Sequence, residues 1–91
     1  MIGHLKGTIL HQDLKSVILE VGGVGYKIFT NTAFLEGKKN KTLEFWTYLA
    51  VRETALDLYG FGTKDELDFF ELLISVSGIG PKSAMGILTI A

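Results

Sequence analysis

Apolar and polar positions alternate with a period of two along most of the first sixty residues. Leu5, Gly7 and Ile9 share one side of a first segment, Val17, Leu19 and Val21 of a second, and Val24, Tyr26 and Ile28 of a third. That period is the signature of a β-strand with one face buried. Gly22-Gly23 separates the second segment from the third and can take the positive φ of a tight turn, so the two are predicted to form a hairpin. Residues 31–37 interrupt the pattern with room for one helical turn, and Lys38-Lys39-Asn40-Lys41 follows as a basic, solvated loop. Alternation returns at Leu43, Phe45, Thr47, Leu49 and Val51, breaks near Arg52-Glu53-Thr54, and resumes at Leu56, Leu58 and Gly60. Five strands suit a small closed barrel of the oligonucleotide-binding (OB) type, and other small β folds as well.

After Phe61-Gly62 the period lengthens. Thr63 and Glu66 form a capping box, and Asp65 places negative charge in the first turn, where the helix dipole favours it. Leu67, Phe70 and Ile74, with Phe69, Leu73 and Val76, recur at three- and four-residue spacing, leaving Asp68 and Glu71 on the wetter side. Gly78 stands where a left-handed C-cap belongs, and Pro81 where a second helix opens. Ala84, Ile87, Leu88 and Ala91 would form the apolar stripe of that helix. The pattern stops there without a cap, with Met85 and Ile90 lacking an evident burial partner, so the 91 residues read as a piece of a longer chain. The expected organisation is a barrel over 1–62 and a helical segment over 63–91.

Composition narrows the function. At 47% hydrophobic with a single Pro, the chain is expected to fold, and its length allows one small domain or one and part of a second. It has no cysteine, which excludes disulfides, thiolate metal sites and a cysteine nucleophile. No signal-peptide pattern and no apolar run of about 18 residues occurs, so a cytosolic protein is expected. Nine basic against ten acidic side chains leave a formal charge of −1, so any nucleic-acid contact must be local.

The stretch Ser77-Gly78-Ile79-Gly80-Pro81-Lys82-Ser83 poses the sharpest chemical question. A nucleotide P-loop needs a preceding strand, an earlier glycine and Gly-Lys in direct succession. Here Pro81 intervenes and a helix precedes, so the nucleotide reading fails. Gly22-Gly23-Val24-Gly25 opens no helix and is not a dinucleotide fingerprint. Two readings stay open for the 78–83 stretch: an ordinary helix connection, or a seat for one phosphate between Lys82 and the free amides of a helix N-terminus.

The stretch resembles the helix-hairpin-helix motif, whose Gly-apolar-Gly form binds a DNA backbone without reading bases. In chain order, Met1-Ile2-Gly3 with Leu5 and Gly7, Glu20 to Tyr26 (EVGGVGY), Val51-Arg52-Glu53, Leu58-Tyr59-Gly60-Phe61 and Ser77 to Lys82 (SGIGPK) are similar to the RuvA family, the Holliday-junction-binding subunits of the bacterial branch-migration complex. The similarity runs over essentially the whole chain. It implies a five-stranded OB barrel at 1–62 followed by the first helix-hairpin-helix at 63–91, with a second hairpin and a domain contacting the RuvB motor expected beyond it. It also implies a bacterial cytoplasmic protein, a homotetramer on four-way junction DNA, the RuvC resolvase as a further partner, and no cofactor or metal. Gly78, Gly80, Lys82 and Ser83 would contact phosphate. The family's acidic pin, two adjacent carboxylates after the fourth strand, falls here on Glu53-Thr54, so one carboxylate is missing. Asp57, about 13 Å beyond Glu53 along an extended strand, would compensate in part.

The remaining polar residues carry no reaction. His4 and His11, an odd number of positions apart in one strand, are expected on opposite faces, too far apart to share a metal. Asp65, Glu66, Asp68 and Glu71 describe the cap and outer face of a helix. Trp46 and Tyr48, opposite Phe45 and Thr47, are expected in a core or subunit interface more than as stacking platforms for bases. With no triad, metal-ligand set or nucleotide loop, the expectation is a binding subunit without its own catalysis.

Overall fold

The computed structural model describes residues 2–90, apart from the side chains of Ala33, Phe34 and Ile90. Met1 and Ala91, with which the patterns above begin and end, and the burial of Ile90 lie outside the described residues. Five strands, β1 (His4–Gln12), β2 (Ser16–Val21), β3 (Val24–Phe29), β4 (Thr42–Arg52) and β5 (Ala55–Phe61), close a barrel in the order β1-β2-β3-β5-β4. This is the OB-type barrel, and it carries two helices, α1 (Lys64–Ile74) and α2 (Pro81–Ile90). The break after β3 holds a single 3-10 turn at Thr32–Leu35.

Local chemistry explains the hairpins. Gly22 (φ 58°) and Gly23 (φ 91°) form the two-residue turn between the paired Val21 and Val24, and the Glu20 carboxylate accepts the Gly23 N–H. Glu53-Thr54 makes the turn between Arg52 and Ala55, which face each other across β4 and β5. All neighbours are antiparallel except β3 and β5, which run parallel through Ile28↔Leu58 and Phe29↔Tyr59 and so close the ring.

Most inward positions are those the alternation predicts, but Val24, Val51 and Leu56, beside the hairpin turns, stay 51%, 66% and 67% exposed, and Leu35 joins the core from the 3-10 turn. Ile9, Val17, Leu19, Ile28, Leu35, Phe45 and Leu58 form one buried cluster, each contributing about 1.5–3 kcal/mol on leaving water. Two glycines permit the close packing. A Cβ on Gly7 would lie 2.1 Å from the Glu20 carbonyl oxygen, and one on Gly60 would lie 2.4 Å from Ile28 Cγ2.

At the end of β1 the alternation loses its parity. A bulge between Ile9 and His11 puts Leu10 out of register, with Ile9 opposite Leu19 but His11 opposite Ile18. The extra residue reverses the parity of the strand end. His11 therefore emerges on the outer face, as His4 does, rather than on the opposite one. His4 stacks edge-on against Trp46 at 4.7 Å and His11 bonds Asp13 at 3.0 Å, so the two remain apart.

The middle of the outer face of β4 and β5 is covered by the helices, while Thr42, Glu44 and Arg52 towards the strand ends stay exposed. Ala50, Tyr59 and Phe61 join Leu67, Phe70 and Ala84 of the helices in a second buried cluster, flanked by Trp46, Tyr48, Ile74 and Met85. Thr63 caps α1, its hydroxyl oxygen accepting the Glu66 N–H at 3.2 Å. The stripe of α1 is Leu67, Phe70, Leu73 and Ile74, whereas Phe69 and Val76 stay 40% and 51% exposed. In α2 the buried side is Ala84 with Met85 and Leu88, and Ile87 faces outward. Both helices carry apolar residues outside the buried stripe, Phe69 and Leu72 in α1 and Ile87 in α2, so sequence spacing leaves their rotation open.

Candidate nucleic-acid interface

The connection between the helices is tighter than its sequence suggests. The C-cap is Ser75, not Gly78: the Ser75 amide bonds the Glu71 and Leu72 carbonyls, its hydroxyl donates to the Leu72 carbonyl, and Val76 N–H reaches Leu73. Such i→i+3 bonds consume the last carbonyls of α1 without a left-handed residue. Gly78 instead takes φ +89° inside the turn that Ile79 N–H closes on Val76 at 3.1 Å. Ile79 then tucks, half-buried, against the second cluster and fixes the turn to the helices.

Gly80 is the last residue before α2, and its carbonyl accepts the Ala84 N–H at 3.0 Å. Pro81 occupies the first helical position, where its missing N–H costs nothing. The amides of Lys82 and Ser83 thus precede the first intrahelical bond and point out of the N-terminus with the positive end of the dipole. Both side chains are exposed, and Lys82 makes no ion pair among the described residues. Gly78, Gly80, Lys82 and Ser83 therefore sit together on one tip. Among the described residues other than its chain neighbours, none comes within 4 Å of where a Cβ would stand on either glycine, so the backbone there is open to a ligand.

Glu53 and Asp57 belong to a different element, the β4–β5 hairpin. Because the chain reverses at Glu53-Thr54, Asp57 lies opposite Ala50 rather than at the end of an extended run, and the 13 Å spacing does not apply. Its Oδ2 accepts from Arg52 Nη2 at 2.8 Å. The pair is neutral as a unit, leaving Glu53 as the uncompensated carboxylate of the turn. Beside it Tyr59 has its phenol pKa raised above 10.0, chiefly by burial and further by the Asp57 charge, with Arg52 opposing. Val51 and Leu56, paired across the hairpin, are 66% and 67% exposed.

A groove of about 450 Å³ runs between the barrel and α2, lined among others by Lys15, Phe29, Thr30, Lys82, Met85 and Thr89. Its barrel wall escapes sequence analysis, because Lys15, Phe29 and Lys82 come from three distant segments. Among the described residues no three His, Asp or Glu side chains converge as metal ligands, and no helix is long and apolar enough to cross a membrane.

Comparison with known proteins agrees with this geometry. Residues 1–60 match the family model described as the RuvA N terminal domain. A protein of Halothermothrix orenii named Holliday junction branch migration complex subunit RuvA is 47% identical over 89 residues, covering 98% of this chain and 46% of that protein. Proteins of the same name from Ruminiclostridium cellulolyticum and Brevibacillus brevis are 42% and 43% identical, over 98% and 100% of this chain and 46% and 45% of theirs. The chain spans about half the length of these curated relatives. Barrel, glycine-bearing helix tip and near-complete coverage by such relatives lead to one assignment: the chain belongs to the RuvA family.

Proposed function

We propose that the chain binds four-way junction DNA through its backbone and shape, as a non-catalytic subunit of a bacterial, cytoplasmic branch-migration assembly. The barrel (1–62) is the assembly and junction-centre element, and 63–91 is the phosphate-contacting element. The observation that carries this is the tip of the helical hairpin in a chain of this family. Gly78 and Gly80 leave the backbone bare, and the amides of Lys82 and Ser83, the Ser83 hydroxyl and the Lys82 ammonium, which has no ion pair among the described residues, would share one phosphate. None of these groups reads a base edge, so specificity comes from the arrangement of the arms.

In a homotetramer on the junction, four copies of Glu53 place a ring of negative charge at the centre and repel phosphate there. Asp57 contributes less, its charge being met by Arg52. The RuvB motor is engaged through the half of the relatives' length that this chain does not span, and the RuvC resolvase meets the same assembly.

Competition between a four-way junction and a linear duplex of equal length and composition, with molecular mass measured on the same sample, tests this. A tetramer preferring the junction is expected, and equal affinity for both DNAs counts against it. The exposed Val51–Leu56 pair favours a second reading, an oligomerisation scaffold whose DNA affinity resides mainly in the rest of the longer family chain. Lys82→Ala separates the two. Phosphate contact predicts a loss of about one unit in the salt slope of binding for each protomer on the DNA, and the scaffold predicts no change.

A further inference from the structure

We propose that the groove between the barrel and α2 is a second seat for the DNA backbone, in which Lys15 and Lys27 extend the phosphate contacts of Lys82. It rests on the junction-binding reading and adds a barrel-borne surface to the helical tip. Lys15 and Lys82 line opposite walls of the groove, one from the β1–β2 loop and one from α2. Phe29 of β3 also lines it, and Lys27, beside the groove rather than in its lining, holds its ammonium 5.5 Å from the centre of the Phe29 ring.

Among the described lining residues there is no carboxylate. In a chain of net charge −1 this local excess of cations is not a background property. The nearest acid along the loop, Asp13, is already engaged by His11 at 3.0 Å. Glu71 of α1 lines a different cavity with Lys64 and Trp46.

The loop that carries Lys15 is anchored rather than floppy. The Thr30 N–H donates to the Lys15 carbonyl at 3.0 Å, and the Thr32 hydroxyl donates to the Leu14 carbonyl at 2.8 Å. Leu14 is nevertheless 92% exposed. An apolar side chain held out beside a lysine, at a groove that Phe29 also lines, suits the sugar face of a nucleic-acid strand whose phosphates meet the flanking ammonium groups.

The test measures binding of the 91-residue chain to a four-way junction at 50 and 200 mM salt. It compares the wild type with Lys15→Ala/Lys27→Ala, with Lys82→Ala, and with Lys6→Ala on the outer face of β1. Each phosphate contact contributes about 0.9 to the salt slope, so over this range the affinity of the double variant should fall about 12-fold less than that of the wild type for each protomer that contacts the DNA. Lys6→Ala should match the wild type. If the double variant keeps the wild-type slope while Lys82→Ala loses about one unit per protomer, the groove holds no DNA and the helical tip still does. A Lys6→Ala effect as large as that of the groove lysines would reduce the result to general charge and overturn the assignment. Absence of junction binding by the wild type would remove both readings together.

Discussion

Replacing Phe70 with alanine removes the ring on which the helices are seated. Phe70 is fully buried and meets three aromatic rings of the barrel's outer face: Tyr48 at 5.5 Å, Tyr59 at 5.6 Å and Phe61 at 4.8 Å between centroids. Phe→Ala in a core costs about 3–5 kcal/mol, and the loss of ring-to-ring contacts worth about 0.5–1.5 kcal/mol each points to the upper half of that range. A loss of about 4 kcal/mol is expected. A domain of this size holds about 5–14 kcal/mol in total, so the variant should melt about 16–30 °C lower. Urea unfolding followed by far-UV circular dichroism measures the loss, and Trp46, the single tryptophan, reports fluorescence from within the same cluster. In the wild type both signals should change at one midpoint. A loss below about 1 kcal/mol, or separate midpoints for the two signals, would show that helices and barrel do not share a core, and the reasoning would fail.

Other substitutions probe the remaining contacts. Gly7→Ala should cost more than Gly60→Ala, for which about 1–3 kcal/mol is expected, because its Cβ meets the backbone of β2 and not a side chain able to rotate; urea midpoints give the order. Thr63→Ala should destabilise by about 1 kcal/mol through loss of the α1 cap, visible in the same assay. A double-mutant cycle on Arg52 and Asp57 should return a coupling below about 1 kcal/mol, as the arginine is largely solvated; a larger value would mean that the pair is structural. Tyr59 is held neutral by the fold, so the unfolded chain ionises first. Its contribution to stability is complete below pH 10 and declines as pH rises past 10 toward the raised folded value, and Tyr59→Phe should flatten that part of the profile.

The strands were legible because each inner face obeys a period of two, and Gly22-Gly23 named its own turn. Trp46 and Tyr48, between the inward residues of β4, were expected in a core or subunit interface, and both pack against the second cluster. Three things were hidden for physical reasons. The bulge at Leu10 carries no glycine or proline to mark it. The rotation of α1 and α2 depends on which of several apolar sides the barrel accepts, so Phe69 and Ile87 looked as burial-prone as Phe70 and Leu88. The pairings of β1 with β4 and β3 with β5, like the groove joining Lys15 to Lys82, join residues far apart in the chain, and local spacing says nothing about them. At the helical tip, composition alone left two readings open, and only the resemblance of the whole chain favoured one.

The parallel rungs between β3 and β5 have a kinetic consequence. Every other junction of the barrel is antiparallel, and three of them join strands consecutive in sequence, whereas the β3–β5 seam joins Ile28 to Leu58 across thirty residues of chain and registers two residue pairs against the five of the other long-range junction, β1 with β4. Bringing together so large a loop is slow relative to forming the hairpins. The seam is therefore expected to form late in folding and to part early in unfolding. Once parted, it leaves Phe29 and Tyr59 without their mutual contact while the β4–β5 hairpin persists. Amide exchange along β3 and β5 should then rise together, faster than between β1 and β2, and uniform protection around the ring would show that it opens only as a whole.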